Sequence, residues 1–259
     1  MNKGKLAVVV FVSAIAVVPC LSPTSSFAQG GPPMLTDDPG TPGNGVLETN
    51  IAYLEQRTRQ QRLRSFPHVD FNYGLGDQIQ LKYETGWVYT GPSGGEGVRS
   101  GLDNSLLGLK WRFLDQERSG LDMSVYPQLE FENPTRSTVR GIVEPGPNLF
   151  LPLEIGHSFG KIKFVGEFGY QYFRTQTDQW VVGLLAAIDA SESLEVMAEL
   201  HRASEALLNG GDVVLNVGLR TPLSSKVRLL ASVGTGLTNK SETPTFIAYL
   251  GIQLLMGEK

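Results

Sequence analysis

From about residue 46 onward, this chain of 259 residues is a series of short segments in which apolar and polar side chains alternate. A period of two is that of a β-strand, whose successive side chains point to opposite faces of a sheet. The runs 69–73 and 79–87 show it most clearly, and a Gly-Leu-Gly-Asp turn joins them as a hairpin. Each strand therefore has one apolar face, and a closed barrel in a membrane accommodates such strands without an unpaired sheet edge.

The spacing of these segments predicts an all-β fold, a transmembrane antiparallel up-and-down β-barrel of about 12 strands over residues 46–259. Polar connections alternate with tight turns, and the first connection is the charged stretch 56–65. Outer-membrane barrels have long loops outside and short turns on the periplasmic side, as this alternation predicts. Aromatic residues at both strand ends predict two interfacial belts, although the core of a soluble β-protein would also contain such residues.

Residues 1–28 are predicted to be a secretory signal peptide. A basic start and an apolar run at 6–18 precede a small-x-small cleavage pattern that ends at Ala28. The apolar run is shorter than the roughly 20 residues that a membrane-spanning helix needs. Cleavage near Ala28 removes Cys20, the one cysteine of the chain. Residues 29–45 are rich in proline and glycine and are predicted to be a periplasmic leader or plug.

Together, the export signal and the strand pattern predict the outer membrane of a Gram-negative bacterium as the location. The expected partners are outer-membrane lipid, the barrel assembly machinery and a small-molecule solute. The formal net charge of -4, with both signs spread along the chain, argues against nucleic acid, which usually requires a basic face.

Three passages resemble a family of outer-membrane barrels, the transporters linked to the phenol meta-degradation pathway. They are PPMLTDDPGTPG at 32–43, DFNYGLGDQIQLKY at 70–83 and GLKWRF at 108–113. The resemblance spans nearly the whole chain after the signal peptide. It implies an outer-membrane channel or uptake protein, by analogy with barrels that admit fatty acids and aromatic hydrocarbons.

We expect no enzyme activity, no metal and no cofactor. A barrel hydrolase needs a serine near a histidine on the same strand face, and the sequence around His68, His157 and His201 offers none. The histidines also lack the close spacing of zinc ligands. The carboxylates of Asp37 and Asp38 could bind calcium, but Asp before Pro-Gly is typical of a turn in which the side chain caps backbone amides.

The polar side chains of the strands are predicted to face inward and are the candidate site residues. The predicted lumen-lining residues are Glu48, Asn50, His68, Asp70, Asn72, Gln80, Lys82, Glu84, Lys110, Arg112, Asp122, Gln128, Glu130, Lys163, Glu167, Glu195, Glu199, Asn216, Arg220 and Arg228. A barrel of this size lies between the solidly packed small barrels and the open porins. Two functions stay open: a passive channel for a small, hydrophobic or aromatic solute, and a non-transporting structural or surface-interaction barrel with a filled lumen.

Overall fold

A computed structural model of the protein describes residues 31–94, 97–207, 210–238 and 243–257. The predicted signal peptide and its cleavage site lie outside the described residues. In these ranges, no helix has the length and apolar composition to cross a bilayer.

Within the described residues, the protein consists of fourteen β-strands and one short α-helix. In chain order they are β1 (Leu47–Arg57), β2 (Gln61–Leu75), β3 (Ile79–Pro92), β4 (Arg99–Leu102), β5 (Ser105–Leu114), α1 (Gln116–Ser119), β6 (Asp122–Val125), β7 (Gln128–Phe131), β8 (Asn148–Phe159), β9 (Ile162–Tyr172), β10 (Gln179–Ser191), β11 (Leu194–Ser204), β12 (Asp212–Pro222), β13 (Val227–Gly236) and β14 (Phe246–Met256).

These strands form one closed antiparallel barrel. Most neighbours in sequence pair with one another, and β1 pairs with β14 from Leu47 opposite Met256 to Arg57 opposite Phe246, which closes the sheet. The strands β4 and β5 both pair with β3, and β6 and β7 both pair with β8. Strands β4 and β5 are therefore the two parts of one barrel strand with a break, and so are β6 and β7. The fourteen strands thus form twelve barrel strands, and the predicted barrel of about 12 strands is confirmed.

The two faces of the barrel differ in chemistry. Outward-facing residues such as Leu184 and Leu250 are 59% and 55% exposed, whereas the inward-facing Glu154 and Glu199 are 0% and 1% exposed. An apolar outer band around a polar interior is the arrangement of a barrel that crosses a membrane.

Aromatic side chains lie on the outer face near both strand ends. Trp87 and Tyr172 are exposed toward the loop end, and Trp111 and Phe164 are exposed toward the turn end. This distribution is that of the two predicted belts, in which amphipathic rings sit at membrane–water interfaces.

The first connection is shorter than the sequence predicts, so the prediction of a long loop at 56–65 is wrong. Strand β1 continues to Arg57 and β2 begins at Gln61. The Glu55 carboxylate contacts the guanidinium groups of Arg57 at 2.9 Å and Arg62 at 2.8 Å. Because these charges pair with one another, the hairpin can continue as a sheet beyond the apolar band.

The expectation that apolar side chains face only outward also needs correction. On β10, the run VVGLLAAI at 181–188 is apolar on both faces, and Leu185 and Ala187 point inward with 4% exposure each. They pack with Val165 of β9 and Met197 of β11. We call these four residues the apolar recess.

Candidate functional site in the barrel lumen

Residues 31–46, which we call the luminal segment, lie inside the barrel. The segment joins β1 at the end where the tight β2–β3 turn lies, and Gly45 N–H donates to the Gly74 carbonyl at 3.0 Å. The Thr41 hydroxyl donates to the Asp77 carbonyl at 2.9 Å. From this end of the barrel, the chain extends across the lumen to β9, β11 and β13.

The inner wall binds the backbone of the luminal segment. The Glu199 carboxylate accepts from the backbone N–H of Leu35 at 2.8 Å and of Thr36 at 2.7 Å. The Glu167 carboxylate accepts from Asp37 N–H at 3.3 Å. These hydrogen bonds satisfy backbone N–H groups that have no partner in a sheet or a helix. Hydrogen bonds to charged groups are among the stronger ones in proteins.

Two lysines of the wall pair with the two aspartates of the segment. Lys110 Nζ lies 2.9 Å from Asp37 Oδ1 and 3.2 Å from Glu154 Oε2. Lys163 Nζ pairs with Asp38 Oδ2. Burial alone would raise the pKa of the Asp38 carboxyl, but the ammonium groups of Lys163 and Lys110 outweigh burial and lower this pKa. Asp38 also accepts from Gly40 N–H at 2.9 Å, which is the turn contact expected from the sequence.

The apolar recess holds the Met34 side chain, which is 6% exposed. Burying a methionine contributes roughly 1.5–3 kcal/mol, so this contact is a substantial part of what holds the segment. The Ser232 hydroxyl donates to the Pro33 carbonyl at 2.6 Å beside it. The wall therefore contacts the segment through apolar packing, backbone hydrogen bonds and ion pairs.

Glycines on the inner face make room for the segment. A Cβ on Gly183 would lie 2.4 Å from Thr36 Oγ1, and a Cβ on Gly218 would lie 2.7 Å from Met34 Sδ. Any other residue at these two positions would displace the segment or its side chains. The wall is therefore shaped to the segment as well as chemically matched to it.

The predicted lumen-lining residues are placed on the inner wall, where they are buried or half-buried. They form three groups. Those that contact the segment include Lys110, Lys163, Glu167, Glu199 and Arg220. Those that form a network on β1–β3 are Glu48, Asn50, His68, Asp70, Asn72, Gln80, Lys82 and Glu84. The others lie along the rest of the wall and are Arg112, Asp122, Gln128, Glu130, Glu195, Asn216 and Arg228. That these residues line a solute path stays a prediction.

The network on β1–β3 is held together by ionic and amide contacts between neighbouring strands. Lys82 Nζ lies 2.8 Å from Glu84 and 3.5 Å from Asp70. Asn50 donates to Asp70 at 3.1 Å. Between this network and the segment lies a cavity of about 20 Å³. Such a cavity has room for about one water molecule.

Sequence reasoning missed several functional candidates. The apolar recess was missed because a continuous apolar run does not show which of its members face inward. Tyr126 was missed because it lies at a strand break. Its fully buried ring lies over Lys110, 4.5 Å from Nζ, and its hydroxyl accepts from Gln80 at 3.1 Å. Pro127, which cannot donate to a sheet ladder, is the signal that could have revealed this break.

The three histidines make contacts that fit a structural role. His68 Nε2 lies 3.2 Å from Glu84, and His201 Nε2 lies 3.9 Å from Glu167. His157 Nδ1 lies 2.8 Å from the Gly120 carbonyl.

Solved outer-membrane barrels share this fold. An outer membrane channel from Pseudomonas putida F1 superimposes with a TM-score of 0.63 at 15% sequence identity, covering 85% of this chain and 98% of that one. The KdgM porin in complex with disordered oligogalacturonate gives a TM-score of 0.54 at 12% identity, covering 79% of this chain and 98% of the porin. The NanC porin gives 0.53 at 6% identity, covering 82% and 100%. No family model and no curated protein matches the chain.

These similarities establish the class of the fold. The chain has the closed, antiparallel barrel of outer-membrane channels and porins. At identities of 6–15%, these similarities concern the fold alone.

Proposed function

We propose that this protein is a passive outer-membrane channel for a small solute, and that the luminal segment is its plug. The observation that carries this proposal is a polar inner wall that encloses a chain segment held only by noncovalent contacts. Strand β1 begins at Leu47, and its pairing with β14 involves no residue of the segment. The segment can therefore leave the lumen without opening the sheet.

The same features support a location and an orientation. The export signal predicted from the sequence and the apolar outer band suit the outer membrane of a Gram-negative bacterium. The segment enters at the end of the tight turns, which face the periplasm in such barrels. The plug would therefore be released toward the periplasm.

The wall argues against a solute that is a simple ion. Lysines and carboxylates alternate along the inner face, whereas ion selectivity usually requires rings of one sign. The apolar recess favours a solute with an apolar body. This agrees with the hydrophobic or aromatic solute that the resemblance to the phenol-pathway transporters implies.

One observation favours a second candidate, a structural or surface-interaction barrel with a permanently filled lumen. The segment and the network on β1–β3 leave a cavity of about 20 Å³ between them, and ionic contacts such as Lys110–Glu154 at 3.2 Å cross between strands. In that case the segment would stabilise the barrel and never leave it.

Conductance in planar bilayers separates the two functions. We would compare the chain from residue 29 with a chain from residue 46, after confirming by heat-modifiable gel migration that both barrels fold. A channel predicts rare openings for the longer chain and steady conductance for the shorter one, with matching rates of liposome swelling. A silent bilayer and no swelling for both folded proteins would contradict the channel.

A further inference from the structure

The inner faces of β9, β10 and β11 form a small two-row grid beside the luminal segment. In one row, Ala187 lies opposite Lys163 on one side and Met197 on the other. In the second row, Leu185 lies opposite Val165 and Glu199. The Lys163 ammonium group and the Glu199 carboxylate therefore occupy opposite corners of the grid. The four residues of the apolar recess lie between them.

The luminal segment supplies a matching group to each part of this grid. Met34 fills the apolar recess, and the backbone N–H groups of Leu35 and Thr36 both donate to Glu199. The Asp38 carboxylate pairs with Lys163. Over five residues, the segment thus presents an apolar side chain, hydrogen-bond donors and a negative charge in fixed order.

Displacement of the segment would leave all three parts of the grid without these contacts. An uncovered apolar recess in a polar lumen costs free energy in proportion to its area. The half-buried Lys163 would lose the Asp38 carboxylate, and the buried Glu199 would keep the Asn216 amide at 3.0 Å but lose two backbone donors, which is also unfavourable. A solute that restores all three contacts is therefore favoured over one that restores a single contact.

We infer that the solute is a short apolar peptide of two or three residues with free termini. Its ammonium group would bind Glu199, its carboxylate would bind Lys163, and an apolar side chain would enter the recess. This inference rests on the proposed channel function, because the segment must leave before the peptide can bind.

The dimensions of the grid fit such a peptide. Strands in a sheet are about 4.8 Å apart and each residue rises about 3.3 Å, so the backbones of Lys163 and Glu199, two strands and two residues apart, lie roughly 12 Å from each other. A dipeptide spans about 7 Å when extended. The long Lys163 side chain and the Glu199 side chain cover the remaining distance.

The test uses the full chain with Met34→Ser, which weakens the hold of the segment and leaves the grid unchanged. Binding to the detergent-solubilised protein would be measured by calorimetry for four ligands: leucyl-leucine, its N-acetyl form, its amide and seryl-serine. The three controls lack the ammonium group, the carboxylate or the apolar side chains. Each lost contact should weaken binding about tenfold or more, since a hydrogen bond to a charged group and the burial of an apolar side chain each contribute at least the free energy of a tenfold change.

A pair of wall variants then places the peptide on the grid. Leu185→Ser should remove the preference for leucyl-leucine over seryl-serine, whereas Leu184→Ser, its outward-facing neighbour, should retain it. If Leu185→Ser fails to fold, the ligand series by itself decides. Equal binding of the four ligands, or no binding, would overturn the inference.

Bilayer conductance of the same Met34→Ser protein shows whether a negative result contradicts the peptide site or the channel function. Conductance without peptide selectivity would refute the peptide and leave the channel intact. Selective binding by a protein that never conducts would support the peptide site and contradict the channel.

Discussion

At the scale of single residues, the lumen depends on small side chains placed opposite large ones. Gly183 lies between Glu167 and His201 in the register of the sheet, and the space where its side chain would be is filled by Thr36. Because protein interiors are close-packed, adding atoms at such a point forces a neighbour to move. The neighbour that can move most easily here is the luminal segment.

Gly183→Val should therefore release the segment. Overpacking costs about 1–3 kcal/mol, and a cost of about 1–2 kcal/mol corresponds to a roughly 5- to 30-fold change in population. We expect the frequency of channel openings to rise by that factor in planar bilayers. Gly166→Val is the matched control, because a Cβ on Gly166 meets nothing within 4 Å. Equal opening frequencies for the two variants would show that the segment does not obstruct the lumen.

Asp38 gives the docked segment a dependence on pH. Its pKa in the docked state is lowered by Lys163 and Lys110, whereas a free aspartate has a pKa of about 3.9. The ion pair therefore stabilises docking fully above about pH 4, and this stabilisation is lost as the pH falls through the lower docked value.

We expect the opening frequency of the unmodified protein to stay level from neutral pH to about 5 and to rise below about 4. Asp38→Asn should open more often at neutral pH and should respond less to acid. The two proteins differ only in the Asp38 carboxylate, so the difference between their pH profiles reports the loss of this group. Identical pH profiles would contradict a role for the Asp38 ion pair.

At the scale of strands, the alternating pattern predicted the barrel because a period of two is a local property of sequence. The pattern could not predict where β1 and β2 end, since Glu55 pairs with Arg57 and Arg62 only after the hairpin forms. It also could not show that β10 has an apolar inner face. That face contacts Met34, which lies far away in sequence, so its chemistry reflects a tertiary contact.

The break between β6 and β7 offers a prediction at this scale. Tyr126 turns inward there, and a Cβ on Gly108 would lie 2.8 Å from its ring. Tyr126→Ala should lower the free energy of unfolding by about 3–5 kcal/mol, as is usual for a buried aromatic residue. Tyr126→Phe loses only the hydrogen bond with Gln80 and should cost about 1 kcal/mol. Denaturant unfolding in lipid vesicles measures both, and equal losses would mean that the ring packing is unimportant.

At the scale of the whole molecule, the apolar outer band requires the barrel to span a bilayer. Leu184, in the middle of β10, is 59% exposed, and Leu223, in the turn between β12 and β13, is 60% exposed. Equal exposure makes them a matched pair that differs in depth. The sequence predicted this placement from the export signal and the strands.

Leu184→Arg should lower the free energy of unfolding from lipid by about 2–4 kcal/mol, whereas Leu223→Arg should change it by about 0–1 kcal/mol. The physical reason is that a charge at the bilayer midplane loses its hydration, whereas one at the rim keeps it. Unfolding titrations in vesicles provide the measurement. Equal effects would contradict the membrane-spanning placement of β10.

The most direct measurement concerns the segment as a removable plug. The chain from residue 29 contains no cysteine, so Thr36→Cys with Gly183→Cys introduces a single possible disulfide. The ideal Cβ of residue 183 lies 3.0 Å from Thr36 Cβ, and a small shift reaches the typical disulfide separation of about 3.8 Å.

We expect the oxidised double variant to be silent in planar bilayers and to conduct once a reductant breaks the disulfide. The two single-cysteine variants should show no response to oxidant or reductant. If the oxidised protein conducts as readily as the reduced one, the luminal segment does not close the channel.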